Sequence, residues 1–245
     1  MRKIYITIIV LIILGATGYF VVFYNLPDTE TILKYRPTST IINFDGISWK
    51  RAKRSPVRKI VPLSKISKHL RLSVIISEDD TFYRHSGINY DQVKLAFNES
   101  LEKKRLTRGA STITMQLARN AFLTKERTLV RKLKEIIVAR RIEKLLSKSK
   151  ILELYLNIIE WGPNIYGAEA ASRFYFDKSA ANLNLAESSL LAAIIINPIR
   201  FNPYWRFNSA RKLQRRVLKL MKGAKIITSE EMENILSQQI ILREP

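Results

Sequence analysis

Leu63, Ile66, Leu70 and Val74 recur at helical spacing, and Glu78 continues the i+4 line after Val74. That pattern puts a carboxylate on the half-buried face of a predicted helix. From Ser64 onward the apolar period stays helical nearly to the end of the chain. It predicts helices near Tyr90 to Glu102, from Thr112 to Asn120, and over about Thr128 to Leu146. A buried helix follows over Ile151 to Gly162, closing at Gly162-Pro163, with Asn157 in it as a buttress to whatever site lies nearby. Tyr166 to Phe176 reads as a helix of small and aromatic residues, and Leu185 to Ile196 as an apolar one stopped by Asn197-Pro198. A last helix near Ser209 to Lys222 carries Leu213, Val217 and Leu220 on one side and cations on the other.

The N-terminal part breaks this pattern. Ile4 to Tyr24 is a run of 21 residues without a charge, long enough to cross a bilayer as a helix. It exceeds a usual signal-peptide core and no small-x-small cleavage site follows before Asn25, so it reads as an uncleaved anchor. Arg2, Lys3 and the terminal amine favour a cytoplasmic N-terminus, although Lys34, Arg36 and the basic cluster from Lys50 to Lys59 pull the other way. Residues 25–62, with Pro27, Pro37, Pro56 and Pro62, read as a linker holding a short strand or hairpin such as Ser39 to Phe44. The expected organisation is an anchor over 1–24, that linker, and a mostly α body over 63–245. No repeat or low-complexity tract interrupts it.

Composition narrows the chemistry. With 245 residues, 47% of them hydrophobic, the chain can bury a full core. Forty-two Lys plus Arg against 21 Asp plus Glu give +21, which favours anionic partners such as nucleic acid, acidic lipid or a pyrophosphate-bearing substrate. The absence of cysteine excludes disulfide and thiolate chemistry. His69 and His85 are too few for a histidine-rich metal cluster.

Three stretches carry candidate chemistry. In Ser77 to Gly87, partial burial of Glu78 would raise its pKa and suit it as a general base, with Asp79 and Asp80 pointing elsewhere and solvated. A solvated acidic helix end is the plainer reading of the same triplet. In Gly109 to Asn120, Ser111 or Thr112 can cap the helix that follows, and Thr112, Gln116, Arg119 and Asn120 share one polar face. A capped helix start offers free amides to an anion, and an ordinary amphipathic helix fits the spacing equally well. Arg127, Arg131, Lys134 and Glu135 fall at i, i+4, i+7 and i+8, gathering three cations around one acid. A surface Arg131 to Glu135 pair explains part of that; the surplus charge could hold a diphosphate and keep Glu135 ionised. Between Glu187 and Glu230 the chain has nine Lys or Arg and no acid, suited either to an anionic membrane surface or to a solvated face.

Assembled in order, these motifs resemble the monofunctional biosynthetic peptidoglycan glycosyltransferases, whose domain is shared with bifunctional penicillin-binding proteins. EDxxFxxHxG stands as Glu78 to Gly87, GxSTxTxQ as Gly109 to Gln116, RKxxE as Arg131 to Glu135 and KxxILExYLN as Lys148 to Asn157, within about Leu63 to Pro203. The resemblance implies a mostly α, lysozyme-like glycosyltransferase domain behind a single N-terminal transmembrane helix. It would lie on the outer side of a bacterial cytoplasmic membrane and polymerise lipid II with release of undecaprenyl pyrophosphate. It implies Glu78 as base and Glu135 as second acid. Arg119, Arg127, Arg131 and Lys134 would sit on the pyrophosphate, and Ser111, Thr112, Gln116 and Asn120 would line the cradle. Phe82 and His85 would pack around Glu78. Implied partners are lipid II, the nascent glycan strand and the membrane, with cell-wall synthesis or division proteins as candidates and no nucleic acid. No cofactor is implied with certainty, and a divalent cation such as Mg or Mn stays open.

Met115 departs from the family's usual Gln, Asn89 from an Asp, and Arg119 from a frequent Lys. Met115 puts one polar contact in doubt, and the planar Arg119 grips phosphate differently. The S-x-x-K match at Ser147 to Lys150 sits in a charged turn, and no K-T-G follows it, so no transpeptidase is expected. Two rivals remain: a membrane-bound lytic enzyme, for which the cationic face has no use, and a non-enzymatic basic anchor protein, which leaves Glu78 and Glu135 without purpose.

Overall fold

The computed structural model describes residues 2–24, 26–34, 57–103, 111–124, 126 and 128–244, with backbone alone at several positions of the first helix and at 97, 100 and 103. The expected strand at Ser39 to Phe44 lies outside the described residues, and so does Arg127.

Helix α1 (Arg2–Phe23) is followed by a single turn, α2 (Thr31–Lys34), whose Ile32 is buried. Strand β1 (Val57–Arg58) then leads into α3 (Lys68–Glu78), α4 (Tyr90–Lys103), α5 (Ile113–Phe122), α6 (Leu129–Leu145) and α7 (Lys148–Ile158). Strands β2 (Glu160–Gly162) and β3 (Ile165–Tyr166) precede α8 (Ala168–Phe176), α9 (Leu185–Ile194), α10 (Pro203–Gly223) and α11 (Ser229–Ser237). Two helical groups carry the body. In one, α5 packs on both α6 and α7, and α1 meets α6; in the other, α9 packs on α3 and α10, with α11 alongside. Among residues with described side chains, no helix is long and apolar enough to cross a membrane.

Capping fixes the helix starts. Ser67, Thr112, Thr128 and Ser147 each accept a backbone N–H of the turn they open, and Asn184 with Glu187 and Thr228 with Glu231 form reciprocal capping boxes. Ser147, the serine of the S-x-x-K match, therefore serves as a helix cap.

The body departs from an all-helical reading at one place. The helix expected over Ile151 to Gly162 ends at Ile158, and Glu160–Gly162 is a strand paired antiparallel with β3, which also pairs in parallel with β1. Close packing explains the change. A Cβ on Gly162 would stand 2.6 Å from the Tyr175 hydroxyl, which itself donates to the Trp161 carbonyl at 2.9 Å. Trp161 and Tyr175 are fully buried, so this short sheet is core. Val57 of β1 is fully buried with it, and just beyond β1 Asn157 of α7 holds Val61, accepting from its N–H (3.0 Å) and donating to its carbonyl (2.9 Å).

The seam between α9 and α10 is polar and satisfied. Buried Gln214 donates to the Ala186 carbonyl and the Ser189 hydroxyl, at 2.7 and 2.9 Å, so the two helices approach closely without an orphaned amide. α9 stops two residues before the expected Ile196, which is exposed.

Candidate active site

Helix α3 ends at Glu78, and this shapes everything near it. Glu78 is half-buried; desolvation raises its pKa above the ordinary carboxyl value, partly offset by a hydrogen bond from Gln116 and by the charge of Arg119. Gln116 Nε2 donates to Glu78 Oε2 at 2.8 Å. The amide orientation of Gln116 is set from behind, because Tyr155 donates its hydroxyl to Gln116 Oε1 at 3.1 Å. Burial first, then Glu78, push the Tyr155 pKa well above its ordinary value, so this phenol stays a donor.

Asp79 overturns its expected solvated position. It lies past the end of α3 with non-helical backbone (φ −164°, ψ 74°), buried, and accepts from the Ile113 N–H at 3.0 Å and from His85 Nε2 at 2.8 Å. The carboxylate thus sits on the N-terminus of α5, where free amides and the helix dipole favour an anion. Asp80 is exposed. His85 holds Asp79, and Phe82 is fully buried beneath the same loop with Lys148 Nζ 4.5 Å over its ring. Gly87 closes the loop at φ +89°, in the left-handed region, pressed against α6: a Cβ there would meet the Ala139 carbonyl group at 3.2 Å.

Thr112 caps α5 and also donates to the Gly87 carbonyl at 2.6 Å, tying the cap to the loop. Met115 is buried in the core, so the residue that departs from the family pattern packs instead of making a polar contact. Arg119 is half-buried and Asn120 exposed. Asn89, the other departure, accepts from the Gln92 N–H and donates to Thr81, a capping role at the start of α4.

Helix α6 supplies the second acid, and here the expected set of cations changes. Glu135 is fully buried; Arg131 Nη1 donates to its Oε1 and Lys132 Nζ to its Oε2, the latter at 3.0 Å. Lys134, expected beside Glu135, instead donates to the Tyr24 carbonyl at the C-terminal end of α1, at 2.9 Å. Adjacent helical residues point about 100° apart, whereas residues three and four apart share a face. So Arg131 and Lys132 reach Glu135. Lys132 Nζ also donates to Ser111 Oγ, joining α6 to the start of α5. Burial, then the charges of Arg119 and Arg131, lower the Lys132 pKa to about 8.

The charge of Arg119 acts on both Glu78 and Lys132, so it lies within electrostatic reach of both. Helix α5 and the residue that precedes its cap support both: Gln116 on Glu78, Arg119 in electrostatic reach of each, Ser111 on Lys132. Sequence reasoning missed Lys132, Tyr155 and the inward role of Asp79. It also missed Glu143, which accepts from Thr114 and, at 2.7 Å, from Lys148. The i+3 spacing of Lys132 to Glu135 was the available signal for one of them; Tyr155 and Glu143 meet their partners only across helices. Among the described residues, no three His, Asp or Glu side chains gather to hold a metal ion.

Chemically, the arrangement offers a carboxylate of raised basicity at Glu78 and a cation-rich cluster on Glu135. A proton can be taken from a hydroxyl at the first, and negative charge can be neutralised at the second.

Comparison with known proteins bears on the substrate. A family model described as Transglycosylase matches residues 45–222. The chain is 42% identical to a biosynthetic peptidoglycan transglycosylase of Thiobacillus denitrificans over 189 residues, covering 76% of this chain and 80% of that protein. It is 36% identical to penicillin-binding protein 1A of Aquifex aeolicus over 250 residues, 99% of this chain and 34% of that one. A solved structure of penicillin-binding protein 1A from Haemophilus influenzae matches at 25% identity and a TM-score of 0.37, over 54% of this chain and 17% of that chain.

Proposed function

We infer the chemistry from one premise, that this chain belongs to the transglycosylase family. It is a peptidoglycan glycosyltransferase, and its reaction lengthens glycan strands. The substrate is a lipid-linked disaccharide pyrophosphate of the lipid II type.

Glu78 is the base. Its Oε2 is occupied by Gln116, and no side chain or amide among the described residues occupies Oε1, which is left for the 4-hydroxyl of the acceptor sugar. As that hydroxyl loses its proton to Glu78, its oxygen forms the bond to the anomeric carbon of the donor strand. The bond from that carbon to the pyrophosphate oxygen breaks, and its electron pair leaves with undecaprenyl pyrophosphate. Attack opposite the leaving group inverts the sugar carbon. Arg119, Arg131 and Lys132 are the cations on the leaving pyrophosphate; Glu135 holds Arg131 and Lys132 in place. Ser111, Gln116 and Thr112 shape the cradle, the last through its cap on α5. Asn120 stands at its exposed rim. Lys134 is left out of the pyrophosphate set because it is engaged with the end of α1.

Helix α1 is the membrane anchor. Its 22 residues span about 33 Å, matching a bilayer core. Val10, Ile13, Phe20 and Val21 are exposed on it, as lipid-facing side chains are. Arg2 and Lys3 keep the N-terminus cytoplasmic and the body outside, in the envelope. The glycosyltransferase body starts at Val57, earlier than residue 63, because β1 pairs into the sheet. Residues 26–34 and the undescribed stretch after them connect the two.

The observation that carries this reading is the pairing of a basic-side cluster, Arg131 and Lys132 on Glu135, with a separate carboxylate of raised pKa at Glu78. A cleaving enzyme has no pyrophosphate for those cations to hold. The test is the full chain in detergent with purified lipid II, followed by separation of products by length. Polymer is expected. Shortening of preformed strands with no polymer from lipid II would replace this reading with the lytic one.

A further inference from the structure

Most of the nine cations between Glu187 and Glu230 stand on α10. Lys212, Arg215, Arg216, Lys219 and Lys222 are all exposed there. They recur at steps of three and four residues, so they form one row about 15 Å long on a single side of the helix. The other side is spent: Ala210, Gln214, Val217, Leu218 and Met221 are buried, with α10 packed against α9 and α3. Among the described residues, none of the five cations has an ion pair or a side-chain hydrogen bond. Arg211, at the edge of the row, donates to Gln214 and to the Leu236 carbonyl. Burial and the neighbouring Arg215 depress its pKa. A row of like charges without counter-charge repels itself, and an anion laid along it removes that cost.

We propose that this row docks an extended anionic polymer, namely the carboxylate-bearing glycan strand that the enzyme makes. The proposal rests on the reading of the reaction given above. Peptide stems ending in carboxylates make such a strand a polyanion, with charges repeating along its length. A lipid surface fits less well for two reasons. An interfacial helix inserts its apolar face, and that face of α10 is already buried in the body. The anchor meets the body at α6, in the other packing group from α10. Exposed Ile196, Ile199 and Trp205 lie before the row or at the start of the helix, leaving Leu220 as the exposed large apolar residue within it.

The test uses the full chain in detergent and the variant Lys212→Gln, Arg215→Gln, Arg216→Gln, Lys219→Gln, Lys222→Gln. Three probes are titrated: soluble peptidoglycan strands with free stem carboxylates, the same strands amidated, and vesicles of phosphatidylglycerol with phosphatidylcholine. Five exposed contacts predict binding to the free-acid strands weakened about tenfold or more in the variant, and similarly by amidation in the unaltered chain. Added salt should weaken it too. The first coupling of two lipid II molecules should keep its rate, because none of the five residues touches the site. Polymer formed at long times should be shorter. If the fivefold variant does not fold, Lys219→Gln, Lys222→Gln carries the same test with a smaller loss. Unchanged strand binding overturns the proposal. Loss of vesicle binding with strand binding intact overturns it in favour of a membrane. Failure of the unaltered chain to polymerise sinks the assigned reaction but leaves the strand titration readable.

Discussion

Lys132 sets a limit on the working pH of this enzyme. Its ammonium bridges Ser111 and Glu135, and burial with two neighbouring guanidinium groups lowers its pKa to about 8. In the proposed reaction the charged form is the one that neutralises the leaving pyrophosphate, so activity should fall as pH rises through that value. At about pH 9 roughly a tenth of the sites would still carry the proton, which sets kcat/KM near a tenth of its plateau. That parameter is chosen because it reports the unliganded enzyme, whereas bound pyrophosphate would hold the proton on. Lys132→Arg keeps its charge at all accessible pH and should lose the alkaline limb, even with a lower plateau. Lys132→Met removes the cation proposed on the leaving pyrophosphate, a charge-assisted contact of ~1.5–3 kcal/mol, and should cost about tenfold to a hundredfold in rate at neutral pH. The lowered pKa has a stability side with a definite sign. Charged Lys132 weighs against folding below about pH 8, and that weight is relieved as pH rises from there towards the ordinary lysine value. The assay is initial-rate polymerisation of fluorescent lipid II across pH for the three proteins. An alkaline limb unchanged in Lys132→Arg would refute the assignment.

Glu78→Gln should abolish turnover while leaving thermal unfolding and donor binding near normal. In the unaltered enzyme the acid limb of kcat/KM should lie above the ordinary carboxyl range, because burial raises the Glu78 pKa and the base must be ionised. Lys134→Ala should change kcat by no more than about threefold, since its ammonium is engaged with the Tyr24 carbonyl. A hundredfold fall would return Lys134 to the pyrophosphate set. Asp79→Asn removes the charge that pairs with His85 and faces the start of α5, so it should cost about 3 kcal/mol in denaturant unfolding. A neutral result would mean that the pair contributes little beyond shape.

What the sequence disclosed follows from the range of each interaction. Glu78 was legible because an apolar i+4 line runs straight into it, and the polar face of α5 because Thr112, Gln116 and Arg119 recur at helical spacing. The same reasoning failed where a residue leaves its helix. Asp79 was placed by helical geometry, yet α3 ends one residue earlier and the side chain turns inwards. Lys134 was placed by counting cations near Glu135, although among the described residues it is Arg131 and Lys132 that reach that carboxylate. The sheet was invisible for another reason. Strands of two and three residues are too short to show alternation, and Trp161 continues the apolar run of the preceding helix.

The arrangement around α5 resolves a conflict that the reaction imposes. A base of raised pKa needs burial, while a leaving pyrophosphate needs cations, and cations close to the base would lower its pKa again. Here the two demands are separated along one helix. Glu78 has a neutral amide as its direct partner, fixed in orientation by the Tyr155 hydroxyl, so its basicity survives the contact. Arg131 and Lys132 are held away on the buried Glu135, whose own charge offsets part of theirs. Among the described residues Arg119 alone acts on both Glu78 and Lys132, and in Glu78 its effect ranks below both desolvation and the Gln116 bond. A second guanidinium at the position of Gln116 would lower the Glu78 pKa and collapse this separation, so an uncharged side chain there suits the proposed base.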